Sequence, residues 1–194
     1  GDRRGGGLGQ TWPTPGRRQQ RRRPTAPTGG TRGIMSEIVV VVGNPRPGSR
    51  TRSAAVALGT EIARQESAPP PVVVDLAEYG PRLLDPDDAG VAEGLAAARA
   101  ARVLVVATPT YKGSYTGVLK VFVDRLPHRG LAGVAAVPLT VGATAEQAAQ
   151  SERHLRGLLA ELGAEVRPGL ALTESTLGDT DVAATYAAAL AGRS

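Results

Sequence analysis

The sequence has no cysteine. That excludes a disulfide framework, a thiolate metal site and thiol catalysis, and it agrees with a reducing compartment. The two histidines, His128 and His154, are too few for a His-rich metal cluster, so no metal site is expected. Lysine occurs only at Lys112 and Lys120, and the other basic residues are all arginine. With abundant Ala, Gly and Pro, this bias reads as the imprint of a GC-rich genome. Long apolar runs are also missing. Aliphatic runs such as Ile38–Val42 and Val103–Ala107 are far too short to span a bilayer. The N-terminal arginines precede no apolar stretch with a small-residue cleavage site, so no secretory signal is expected. These absences point to a cytoplasmic protein with no membrane partner.

The chain has 194 residues and a formal charge of +5, which invites a nucleic-acid reading. The charge is unevenly placed. Residues 1–34 hold eight arginines and one acid, Asp2, giving +7, whereas residues 35–194 hold 15 basic and 17 acidic residues, giving −2. The first segment is Gly, Pro, Arg, Thr and Gln with almost no aliphatic side chain. It cannot bury enough apolar surface to offset its ordering entropy, so 1–34 is expected to be a disordered basic tail. Met35 is the only methionine and stands three residues before the first strand-like run. It reads as the true start, with 1–34 upstream of it. The alternative is a native arm that contacts polyanions. The folded domain is 35–194, and no nucleic-acid partner is expected for it.

Within 35–194, strand and helix patterns alternate. Ile38–Val42 is an unbroken β-branched run, followed by turn residues and a helical pattern from Arg52 to about Gln65. Val72–Asp75 is a second strand, Gly80–Asp88 a loop and Val91–Ala101 a helix. Val103–Ala107 is a third strand, Gly117–Leu126 a helix and Val134–Val141 a fourth strand. Ala145–Leu162 is a long helix with Leu155, Leu158, Leu159 and Leu162 at helical spacing. Glu165–Thr173 is a fifth strand, edge-like because Pro168 and Gly169 interrupt it, and Asp179–Ala191 is a last helix. Solid aliphatic strands belong in sheets covered on both faces. The expected fold is an α/β three-layer sandwich with a five-stranded parallel sheet in the flavodoxin-like order 2-1-3-4-5. Its ligand site should lie at the carboxyl ends of strands one and three.

The loop after strand one, Gly43 to Arg52, combines two glycines, two prolines, the hydroxyls of Ser49 and Thr51, and Arg46, Arg50 and Arg52. With the amides of the next helix start, these are the parts of a phosphate cradle. The loop is neither a Walker loop nor a dinucleotide Gly-x-Gly-x-x-Gly. An ordinary strand-to-helix turn with Thr51 as N-cap would use the same residues. After strand three, two of the domain's five aromatics fall within Thr108–Tyr115. That stretch offers amides and a cation to a planar, hydrogen-bonding ring, or it simply covers a sheet edge or an interface. After strand four, Gly142-Ala143-Thr144 permits close backbone approach.

These blocks carry a resemblance. Asn44-Pro-Arg-Pro-Gly-Ser-Arg-Thr-Arg52 is similar to the phosphate loop of the NAD(P)H-dependent FMN reductase family. Val106 to Lys120, with Asp124 and Leu126-Pro127, resembles that family's Thr-Pro-x-Tyr and Gly-x-Leu-Lys block. Pro138-Leu-Thr-Val-Gly-Ala143 looks like the fourth strand of its alkanesulfonate-type branch, the flavin reductases of two-component monooxygenases. The resemblance implies that Asn44, Arg46, Ser49, Thr51 and Arg52 hold the FMN phosphate. Pro109, Thr110, Tyr111, Lys112, Gly113 and Ser114 would line the isoalloxazine and ribityl chain, and Gly142, Ala143 and Thr144 would close over the ring. Asn44 stands where Ser is usual, and 151–155 lacks the Tyr that favours tetramers in that branch.

The implied activity is reduction of FMN by NADPH or NADH, with reduced flavin passed to a partner monooxygenase and a homodimer or homotetramer as the assembly. Because that chemistry resides in the cofactor, no side-chain acid, base or nucleophile is named. Asp124 and His128 are read as capping or surface residues, and His154 as packed or solvated. The alternative is a flavodoxin-like carrier that holds FMN, or a quinone reductase.

Overall fold

Strand β1 (Ile38–Val42) is buried at every position. Ile38, Val40 and Val42 join one core, whereas Val39 and Val41 join another. A strand can be apolar on both faces only if something covers each face, and here helices do. The computed structural model describes residues 38–175, 177, 181–182 and 184–186. The tail expected over 1–34 and most of the expected Asp179–Ala191 helix lie outside the described residues. Of that helix, 182 and 184–186 are described and helical.

The elements follow the expected alternation. Helix α1 (Arg50–Gln65) leads to β2 (Val72–Asp75), α2 (Ala89–Ala100), β3 (Val103–Pro109), α3 (Gly117–Val123), β4 (Ala135–Gly142), α4 (Ala145–Glu161), β5 (Glu165–Val166) and β6 (Leu170–Thr173). All strand pairs are parallel, in the order β2-β1-β3-β4-β5, with β6 also on β4. The fold is thus flavodoxin-like, with the 2-1-3-4-5 order. On one face Ala54, Ala55, Leu58 and Ile62 of α1 pack with Leu170, Leu172 and Tyr186. On the other, Val91 and Ala98 of α2, Leu119 and Phe122 of α3, and Leu155 and Leu159 of α4 form the second core. Each such large side chain contributes roughly 1.5–3 kcal/mol by leaving water.

Several local features differ from the sequence pattern. The expected fifth strand is two short strands, because Pro168 lacks an N–H and Gly169 lies where a Cβ would come 2.6 Å from the Pro138 carbonyl. Part of the loop expected over 80–88 is a 3₁₀ turn at Gly80–Leu84, favoured by Pro81 at its start. β3 runs on to Pro109, which pairs in register with Val141, so Pro109 ends a strand rather than opening a loop. α1 begins two residues earlier than its apolar pattern suggests. Ser49, not Thr51, is its N-cap, accepting from the Arg52 amide at 3.2 Å. Among the described residues, no helix is long and apolar enough to cross a membrane.

Candidate functional site

The sheet reverses its winding between β1 and β3, and their carboxyl ends are tied together. The Gly43 amide donates to the Ala107 carbonyl at 2.7 Å, and Thr116 Oγ1 donates to the Gly43 carbonyl at 2.6 Å. Thr116 also caps α3, accepting from the Leu119 amide at 3.1 Å. One buried threonine therefore joins the end of β1 to the start of α3, which opens a crevice beyond the strand ends.

The phosphate-loop candidates are held by each other. Asn44 is buried; its Oδ1 accepts from the Arg46 amide at 2.9 Å and its Nδ2 donates to Thr51 Oγ1 at 3.2 Å. Gly48 has φ +64°, a left-handed conformation that turns the chain into α1. In the first turn of α1 the Arg52 amide goes to Ser49 Oγ. The amides of Arg50 and Thr51 have no intrahelical acceptor, so they offer donors and a positive dipole end to an anion. Arg46 is exposed and its guanidinium makes no ion pair among the described residues.

The second loop is a hairpin. Tyr111 and Ser114 exchange backbone hydrogen bonds at 2.9 and 3.2 Å, and the central residues Lys112 and Gly113 have φ of +53° and +81°. Two successive positive φ values are the signature of a type I′ turn, for which Gly113 is well suited and Lys112 carries strain. The preceding Thr110 is anchored through its amide to the Val141 carbonyl at 2.7 Å. Its Oγ1 is buried with no hydrogen-bond partner. An orphaned hydroxyl at the end of β3 fits a ligand that brings its own polar atoms.

A cleft of about 250 Å³ joins the loops. Its wall contains Asn44, Arg46, Ser49, Thr51, Pro109 and Tyr111 from the sequence-derived candidates. Thr110, Lys112, Gly113 and Ser114 complete the hairpin beside it without forming the wall. Gly142 is packed away from it, because a Cβ there would come 2.6 Å from the Ala148 amide nitrogen. Thr144 serves as N-cap of α4, accepting from the Gln147 amide at 3.2 Å, and Ala143 between them is exposed.

Arg52 is not in the wall. Its Nε lies 3.2 Å from Asp75 Oδ2, at the end of β2. Burial pushes the Asp75 carboxyl above its ordinary value, while the Ala77 amide and Arg52 pull against that rise. Arg52 therefore serves a buried acid, and Arg50 takes the place facing the cleft. Pro47, Arg50, Val141, Glu174 and Leu177 also form the wall, although the family resemblance assigns a role to none of them. Arg50 had a signal, as one of three arginines in the loop. Glu174 and Leu177 arrive from beyond β6, and no local pattern marks them.

Of the residues set aside as non-catalytic, Asp124 pairs with Lys120 one helical turn away. His128 is exposed. His154 is exposed too, but its Nδ1 lies 3.2 Å from Ser114 Oγ, so α4 reaches the hairpin.

Comparison with known proteins identifies the family. The model of the family described as NADPH-dependent FMN reductase matches residues 36–176. The NADH-dependent FMN reductase SfnF of Pseudomonas putida is 32% identical over 136 residues, covering 68% of this chain and 73% of that protein. The FMN reductase (NADPH) of Escherichia coli is 40% identical over 62 residues, a match spanning only 32% of each chain. The apo crystal structure of the NADH:FMN oxidoreductase EMOB superposes with a TM-score of 0.70 at 33% identity, over 80% of this chain and 86% of that one. The family match runs through both loops and the sheet that carries them, and with a relative aligned over most of the chain it establishes that this protein belongs to the NADPH-dependent FMN reductase family.

Proposed function

We propose that the chain is an NAD(P)H:FMN oxidoreductase whose cleft between the β1–α1 loop and the Tyr111–Ser114 hairpin takes the flavin. The observation that carries this reading is the convergence of Arg46, Arg50, Ser49 and the first-turn amides of α1 on one cleft, with the uncommitted Thr110 hydroxyl at the end of β3. FMN held there would supply the redox chemistry, as acceptor of a hydride from the nicotinamide. Arg46, Arg50 and Ser49 hold the phosphate. Asn44 and Thr51 fix the loop's shape rather than adding charge. Thr110 and the hairpin amides meet the polar edge of the ring, while Tyr111, 43% exposed, presents an aromatic surface beside it. Thr144 and Ala143 stand exposed at the start of α4 and form no part of the cleft wall.

The reading extends to NADPH or NADH as donor, and to a flavin-dependent monooxygenase as the receiver of reduced flavin. It also includes a cytoplasmic homodimer or homotetramer. The donor, the receiver and the assembly rest on the resemblance of the sequence blocks after β1, β3 and β4, and the cytoplasmic setting on the lack of cysteine.

The test is FMN titration followed by steady-state oxidation of NADH and NADPH with FMN, FAD and riboflavin as acceptors. Saturable FMN binding with FMN-dependent nicotinamide oxidation is expected. Neither binding nor turnover at saturating FMN would overturn the reading. Tight FMN binding without nicotinamide oxidation would instead favour an electron carrier.

A further inference from the structure

We propose that Glu174 is an internal rival of the flavin phosphate for Arg50, and that it sets how strongly the site prefers FMN over riboflavin. The inference rests on the reading that the cleft takes FMN.

Glu174 directly follows β6 and its backbone is fixed, since its amide donates to the Gly142 carbonyl at 2.9 Å. Arg50 Nη1 donates to the Glu174 carbonyl at 2.9 Å. That bond holds the guanidinium at the wall of the cleft. The Glu174 carboxylate then lies within ion-pair range, with Oε2 3.8 Å from Arg50 Nη2. Both residues line the same cleft as Arg46, Ser49 and Thr51. One residue thus acts twice on Arg50: its carbonyl positions the cation and its carboxylate partly neutralises it.

The two side chains are 65% and 55% exposed, so the pair is loose and readily opened. A phosphate monoester, largely dianionic at neutral pH, would be drawn to Arg46, Arg50 and the α1 terminus. In the same cleft it also meets the Glu174 carboxylate. Binding must share Arg50 with that carboxylate or displace it, and either weakens the phosphate contact. Riboflavin has the same ring and no phosphate, so the carboxylate is indifferent to it. A protein that must let go of its reduced flavin is served by a phosphate site with such a built-in competitor.

The experiment uses the full chain and its Glu174→Gln variant, which removes the charge and leaves the backbone carbonyl in place. Dissociation constants for FMN and for riboflavin are measured at low and high salt. The expected result is FMN binding tightened about two- to fivefold at low salt, the range of one exposed charge pair. Riboflavin binding should be unchanged, and the FMN gain should shrink at high salt. Equal tightening of both flavins, or unchanged or weakened FMN binding, would overturn the proposal and leave Glu174 as a structural clasp on α1. If the unsubstituted protein binds neither flavin, the FMN reading itself fails, and the proposal with it.

Discussion

Asn44 Nδ2 donates to Thr51 Oγ1 at 3.2 Å, so one buried amide ties the end of β1 to the first turn of α1. Its oxygen simultaneously holds the Arg46 amide at 2.9 Å. Asn44→Ala strips both partners and should cost about 1–3 kcal/mol of stability, with weaker FMN binding. Asn44→Asp is nearly isosteric. It keeps the Arg46 bond and lets the Thr51 hydroxyl turn to donate, but it adds a negative charge in the loop. Its stability should stay near that of the unsubstituted protein while FMN binding falls sharply. Chemical denaturation and FMN titration separate the two effects, and an Asp variant with undiminished FMN affinity would remove the phosphate from this loop.

Arg46 and Arg52 lie six residues apart and should behave differently. Arg46→Ala removes a charge-assisted contact worth about 1.5–3 kcal/mol, or about 10- to 150-fold in FMN affinity. It should leave stability unchanged, because the side chain makes no ion pair among the described residues. Arg52→Ala should leave FMN affinity within about twofold, since its guanidinium is engaged with Asp75. Calorimetric titration of both variants checks the assignment, and the reverse ranking would show that the cradle has been placed on the wrong arginine.

The Asp75–Arg52 pair makes stability depend on pH in a defined direction. Burial raises the Asp75 carboxyl above its ordinary 3.8, so the folded protein holds that proton more tightly than the unfolded chain. The contribution of Asp75 is therefore greatest below the ordinary carboxylate range and falls as pH rises through the raised value. Arg52 interacts with the charged form only. Arg52→Ala should cost about 1 kcal/mol near neutral pH, discounted for the partial exposure of Arg52. The cost should fade as Asp75 takes up its proton. Denaturant midpoints across the acid range test this; a loss that stays constant with pH would mean the pair is not its source.

Gly142→Ala should destabilise the protein and disturb α4. A Cβ at 142 would stand 2.6 Å from the Ala148 nitrogen and 3.0 Å from its Cα, both backbone atoms that cannot rotate away. Overpacking of this kind costs about 1–3 kcal/mol. A melting temperature within a degree or so of the unsubstituted protein would show that the helix start yields easily.

The layered fold was legible because β1 and β3 are continuous aliphatic runs and Leu155 and Leu159 repeat at helical spacing. The site was legible in part, because its loops are rich in residues that only a special backbone or a ligand needs. What stayed hidden was orientation. Arg50 and Arg52 are two steps apart on a helix, roughly 200° around its axis, so they point to different neighbours. The sequence shows two equivalent arginines, whereas the fold gives one to the cleft and one to Asp75. Moving the cap from Thr51 to Ser49 is the same problem, since it turns Thr51 from a terminus into a buried acceptor for Asn44. Glu174 and Leu177 lie more than 120 residues from the loop they border, and only the pairing of β6 with β4 brings them there.

The Tyr111–Ser114 hairpin closes through its own backbone and makes its conformational demand at Lys112 and Gly113. Its first residue, Tyr111, faces the cleft without supporting the core, and it is one of the large apolar side chains left exposed among the described residues. The loop is therefore a natural place for divergence or for directed evolution. On the proposed reading, replacing Tyr111 would alter what lies against a flavin in the cleft while the frame that presents it persists. New acceptor preferences can be sought at that one position without first stabilising the scaffold.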